Sequence, residues 1–165
     1  MTGIENFLFH SPSRGALRFD GVMRAIAEYM AKEPRGQYKI IVGTDSAARN
    51  ITTLATVLIV HHVGHGAIYF FTKSPIKEFK TLRDRIFDEA MTSIMLAQEL
   101  RSALNDAIGD TFFWDGNEIH VDIGENGPPR ELIEAVSGII KGYHFIPVIK
   151  PYAYGAFSVA DRHTG

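Results

Sequence analysis

The sequence predicts an α/β domain built on a five-stranded mixed sheet flanked by helices. Three β-branched or aromatic runs follow one another between residues 39 and 72, and their links are too short for crossovers, so they pair antiparallel. Two further apolar runs, near residues 118 and 145, each follow a helical stretch and so join in parallel. Of 165 residues, 45% are hydrophobic and 22% charged, enough apolar material for one domain with its own core. A single domain over residues 1–165 is expected, with 1–35 as an N-terminal loop and helix extension.

Residues 1–18 show no period, and Ser11-Pro-Ser-Arg-Gly15 reads as a loop. Asp20 can cap a helix in which Val22, Met23, Ile26, Ala27 and Met30 recur at helical spacing, until Pro34 and Gly36 stop it. Lys39 to Asp45 is a continuous apolar run, as a central strand buried on both faces requires. Thr52 to Val63 and Ala67 to Thr72 are the next strands, a hairpin turning at Gly64-His-Gly66. Lys80 to Ile108 reads as a long helix, from the recurrence of Leu82, Ile86, Leu96, Leu100 and Leu104, and Gly109 ends it. Asp115-Gly-Asn117 is a turn and Glu118 to Ile123 a fourth strand. A helix opens at Pro128-Pro129 and ends near Gly142, and Phe145 to Lys150 is the fifth strand, closing a right-handed strand–helix–strand unit. Residues 156–162 suit a last short helix.

Composition narrows the function. There is no cysteine, which excludes disulfides, thiolate zinc sites and cysteine nucleophiles. A net charge of -2 argues against strong non-specific nucleic-acid binding but leaves room for a local basic groove. Lys73, Lys77, Lys80, Arg83 and Arg85 cluster, yet Glu78, Asp84 and Asp88 interleave them, as on a solvated helix start. Residues 1–10 lack a signal-peptide pattern and no apolar run is long enough to span a bilayer, so a cytoplasmic protein is expected. Gly124-Glu-Asn-Gly127 lacks the Gly-Lys-Ser/Thr ending of a phosphate-binding loop. The stretch from Asp122 to Glu134 lacks the ligands of a calcium loop, and no serine sits in a nucleophile elbow.

The acids carry the chemistry. Asp45 ends the first strand, Asp122 ends the fourth, and Asp161 lies near the C-terminus. Carboxylates at buried strand ends are costly unless paired, and a divalent cation is a common partner. The element order matches the ribonuclease H-like fold, whose first and fourth strands lie side by side, so Asp45 and Asp122 would repel until a cation relieves them. Glu89 lies three residues after Ile86 and seven after Leu82, on the core side of the long helix. It is either a further ligand or an ion-pair partner of Arg85. His120 is either a supporting partner of Asp122 or a core histidine; His163, beside Asp161, either moves protons or holds a phosphate, or is a surface residue.

Gly43-Thr-Asp45-Ser46, His120-Val-Asp122-Ile-Gly124, Lys150-Pro151 and Ala160-Asp161-Arg162 resemble the YkuK-type family of uncharacterised bacterial proteins, placed in the ribonuclease H-like superfamily. The resemblance runs from about Phe19 to the end. By superfamily analogy it implies a two-metal nuclease centre with Mg²⁺ or Mn²⁺. On that analogy Asp45 bridges the two ions, Glu89 and Asp122 hold one, and Asp161 holds the other. Lys73, Lys77 or Lys150 would contact a phosphate backbone of RNA or DNA. Thr44 and Ser46 would orient a ligand, or serve only as turn residues. The rival reading is a non-catalytic module that binds nucleic acid or protein on the same fold. A second copy could pair along Ile68-Tyr-Phe-Phe71 if that strand is a sheet edge.

Overall fold

The computed structural model describes residues 6–47, 49–108, 117–122 and 128–149. The elements are β1 (Phe9–Ser11), β2 (Gly15–Leu17), α1 (Phe19–Ala31), β3 (Tyr38–Ser46), β4 (Ile51–Thr52), β5 (Leu54–His62) and β6 (Gly66–Lys73). They continue with β7 (Lys77–Glu78), α2 (Leu82–Ile108), β8 (Glu118–Val121), α3 (Arg130–Gly142) and β9 (Ile146–Ile149). The main sheet runs β2-β1-β6-β5-β3-β8-β9. β3, β5 and β6 form the antiparallel meander, and β8 and β9 add in parallel beside β3.

The class is as the sequence predicts, but the sheet has seven strands rather than five. The two extra strands lie in the stretch that shows no period. β1 and β2 form a hairpin, turning through Ser11–Gly15 with Gly15 at a φ of 70° that suits glycine. Phe9 is fully buried in the core, and His10 pairs with Phe71. β6 is therefore not the outermost strand of the sheet, since β1 pairs with it at Phe71. The expected strand from Thr52 to Val63 breaks at Thr53, because Ile51–Thr52 turns aside to pair with β7 in a two-stranded sheet of its own.

Helix starts differ too. Asp20 is not the cap of α1: Arg18 holds that position, and Asp20 lies in the first turn, its Oδ1 accepting from the Gly21 amide. α2 begins at Leu82, where the Thr81 hydroxyl accepts from the Asp84 amide at 3.0 Å, satisfying one of the free N–H groups of the first turn. Ile86, Ala90, Ile94, Ala97, Leu100 and Leu104 then recur at three- and four-residue steps and bury one side of the helix. α2 touches β3, α1 and α3. Val42, Leu58, Val60, Phe70 and Ile119 meet these helices in one core. Among the described residues no helix is long and apolar enough to cross a membrane.

Candidate functional site

The C-terminal end of β3 presents alternate side chains to opposite faces. Thr44 and Ser46 face α2. The Thr44 hydroxyl lies 2.7 Å from Ser93 Oγ and 3.0 Å from Thr56 Oγ1. The Ser46 hydroxyl donates to Glu89 Oε1 at 2.6 Å. Asp45, between them, projects from the other face at the strand rim, where its Oδ1 accepts from the Ser46 amide at 2.8 Å.

Glu89 is the helix acid that meets this rim. Its side chain is only 12% exposed, with Arg85 Nε 3.8 Å from Oε1. Burial pushes its carboxyl up to about 7; the charges of Asp45 and Asp122 push the same way, while the Ser46 hydrogen bond and Arg85 oppose them. Three acids from β3, α2 and the residue after β8 thus lie within electrostatic reach of one another. The spacing argument placed Glu89 correctly through Ile86, which is buried, but its other anchor, Leu82, is 46% exposed. Of the two alternatives for Glu89 the structure contains the ion pair with Arg85, and that contact leaves Glu89 within electrostatic reach of Asp45 and Asp122.

The donor chemistry fits a hard divalent cation. Carboxylate oxygens are the ligands Mg²⁺ and Mn²⁺ take, and mutual repulsion is what a cation relieves. The side chains are not drawn together as they stand: among the described residues no three His, Asp or Glu are close enough to hold an ion. Asp161, Lys150 and His163 lie outside the described residues.

The other predicted contacts divide. Thr44 is 3% exposed and its hydroxyl is taken up between two core hydroxyls, so it fastens β3 to β5 and α2 instead of facing a ligand. Lys77 Nζ pairs with Asp88 at 2.9 Å. Lys73 is exposed at the end of β6, in the register row Asp45–Ala55–Lys73. Residues directly opposite one another share a face, so Lys73 and Asp45 project to the same side of the sheet.

Sequence reasoning missed two features. One is the Ser46 hydroxyl as the partner of Glu89; the i+2 spacing of Ser46 from Thr44, which puts both on one face of the strand, is the available signal. The other is a chain of charge on the Asp45 face: Lys39 Nζ to Glu118 Oε2 at 2.9 Å, and Glu118 Oε1 to His120 Nε2 at 2.9 Å. Its signal was the i+2 spacing of Glu118 and His120 on one strand.

Residues 21–165 match the family described as Ribonuclease H-like. The chain belongs to that family. Within this ribonuclease H-like family it is similar to the uncharacterized protein YkuK of Bacillus subtilis (strain 168), with 31% identity over 169 residues, covering 97% of this chain and 98% of that protein. It is thus a YkuK-type ribonuclease H-like protein, as the Gly-Thr-Asp-Ser and His-Val-Asp-Ile-Gly segments suggest. No solved structure matches it significantly. Membership suggests a nuclease-type or nucleic-acid-related function.

Proposed function

We propose that this chain is a divalent-metal-dependent nuclease that hydrolyses phosphodiester bonds at the C-terminal ends of β3 and β8. The observation that carries this is Glu89: a buried helix carboxyl pushed up to about 7, with the charges of Asp45 and Asp122 adding to the rise, a repulsion that a bound cation would relieve. Asp45, Glu89 and Asp122 are the proposed ligands, with Asp161 the fourth by family analogy. A Mg²⁺ or Mn²⁺ ion held there supplies charge stabilisation for the phosphoryl oxygens and a water of lowered pKa.

The chain's own groups do the rest. Ser46 keeps Glu89 turned toward the strand end. Lys73 stands two strand spacings from Asp45, about 10 Å along the row, and takes a phosphate of an RNA or DNA backbone. Lys77 joins it by exchanging Asp88 for a phosphate; so partly exposed a pair holds it by only about 0.2–1 kcal/mol. Lys150 and His163 complete the proposed substrate contacts.

The test is cleavage of single-stranded RNA, single-stranded DNA and an RNA–DNA hybrid with Mg²⁺ or Mn²⁺. Cleavage that disappears in both Asp45→Asn and Asp122→Asn supports the reading and identifies the substrate class. Absent cleavage, or cleavage that survives both substitutions, overturns it in favour of a non-catalytic binding module.

A further inference from the structure

One stripe of α2 lies outside both the core stripe and the carboxylate site. Asp84, Phe87, Asp88 and Met91 follow one another at three- and four-residue steps, so they share one side of the helix. Together with Phe79 they line an open depression of about 390 Å³. Phe79 is buried and anchored, its amide donating to the Asn50 carbonyl at 2.7 Å. Phe87 and Met91 pack on the core yet stay only partly buried. Two cations of the chain itself rest on these groups. Lys77 Nζ pairs with Asp88 Oδ2 at 2.9 Å, and the Arg83 guanidinium lies 4.9 Å from the centre of the Phe87 ring. Both contacts are open to solvent, where such pairs are weak and readily exchanged.

These groups complement the parts of a nucleotide. A half-exposed aromatic ring stacks a base, and lysine and arginine hold phosphate. Carboxylates do neither, but they accept from the N–H groups of a base edge. A phosphate that draws Lys77 off Asp88 leaves a half-buried carboxylate short of a donor, and the base supplies one. The same exchange carries Arg83 from the Phe87 ring to a phosphate and frees the ring for the base. Guanine answers a carboxylate best. Its N1–H and N2–H stand side by side and give two parallel hydrogen bonds to one carboxylate. Adenine and cytosine set a bare acceptor beside their amino group, and uracil has a single N–H between two carbonyls. The guanine edge is free only when the base is unpaired.

Resting on the nuclease reading above, we propose that the depression lined by Phe79 and Phe87 binds an unpaired guanine of a single-stranded nucleic acid. The base stacks on Phe87, its N1–H and N2–H donate to Asp88, and its flanking phosphates take Lys77 and Arg83. Asp88 and Glu89 are consecutive, with Cα atoms about 3.8 Å apart, and Ser46 ties Glu89 to the end of β3 at 2.6 Å. The base is therefore held on the same turn of α2 as the proposed cutting site, and cleavage falls near unpaired guanines.

The test uses the full chain in chelator, so that binding is read without cleavage. Fluorescence anisotropy follows short labelled oligoribonucleotides in which uridine alternates with guanosine, inosine or adenosine. The parent is expected to hold the guanosine strand about fivefold or more tightly than the adenosine strand. Inosine, which lacks the N2 amine, loses most of that preference, and so does the guanosine strand annealed to its complement. Phe87→Leu weakens the guanosine strand about fivefold or more, and Asp88→Asn erases the preference over adenosine. Equal affinities for all strands, or a preference that survives Asp88→Asn, overturns the assignment, as does failure to bind any strand. If Phe87→Leu fails to fold, Asp88→Asn and the inosine strand decide. The cleavage assay separates the two readings. A guanosine preference in a protein that cuts nothing keeps the base pocket and removes the nuclease. Cleavage that needs Asp45 but ignores both the base and Asp88→Asn keeps the nuclease and removes the pocket.

Discussion

The Ser46 hydroxyl donates to Glu89 Oε1 across 2.6 Å, tying the acid of α2 to the strand that carries Asp45. This hydrogen bond favours the ionised carboxyl, against burial and two neighbouring charges. Ser46→Ala is expected to push the Glu89 carboxyl further above 7, by about one to two pH units if a bond to a charged group is worth ~1.5–3 kcal/mol. The acidic limb of the pH–rate profile should move up accordingly, and Ser46→Thr should restore it. An unmoved limb in Ser46→Ala would show that the bond does not act on Glu89.

Glu89 also links stability to pH. Its carboxyl is raised from 4.5 to about 7 in the folded chain, so the folded protein retains a proton that the unfolded chain releases between those values. Stability from this source is complete below about 4.5 and is lost as pH rises through about 7. The full span is worth at most about 3 kcal/mol. In chelator, urea unfolding should find the parent losing more stability from pH 5 to pH 8 than Glu89→Gln does. Asp45→Asn should fall between them, because one opposing charge is gone. Identical losses in parent and Glu89→Gln would contradict this.

Thr44, Thr56 and Ser93 share buried hydroxyl contacts. Thr44→Val keeps the shape and strands Ser93 and Thr56 with one partner fewer, at a cost of about 1–3 kcal/mol. Adding Ser93→Ala should return part of that loss, since both ends of one contact are then apolar. A double-mutant cycle in urea measures it, and strictly additive losses would count against the coupling.

Gly36 sits against His62. A Cβ there would lie 2.5 Å from His62 Nε2 and 3.1 Å from Tyr38 Cε2. His62 is stacked on Tyr38 with ring centroids 4.6 Å apart, so it has little freedom to withdraw. Gly36→Ala should destabilise by about 1–3 kcal/mol, read as a lowered Tm, while leaving cation binding at the far end of the sheet unchanged. A Tm equal to the parent's would mean that the loop moves freely.

What the sequence revealed follows from how local each signal is. β3, β5, β6, α2 and α3 are long enough for β-branched runs or a helical period to outvote exceptions, and their order, through its match to the ribonuclease H-like fold, places Asp45 and Asp122 at the ends of neighbouring strands. β1 and β2 are three residues each and surround Pro12; they are strands because β6 offers a partner, which no local pattern encodes. The same divide runs through the site. Glu89 is found from its spacing to Ile86. The role of Ser46 depends on which side of the sheet α2 covers, and that of His120 on Glu118 being held by Lys39 from the adjacent strand.

The position of β8 between β3 and β9 sets an order of assembly. A nascent chain can fold the β3–β5–β6 meander, and dock β1 on it, as soon as residue 73 has left the ribosome. One side of β3 then stays unpaired until residues 118–121 are made, although that side borders the future site. A product that stops within α2 would carry Asp45 on an open strand edge, a template for another chain rather than half of an enzyme.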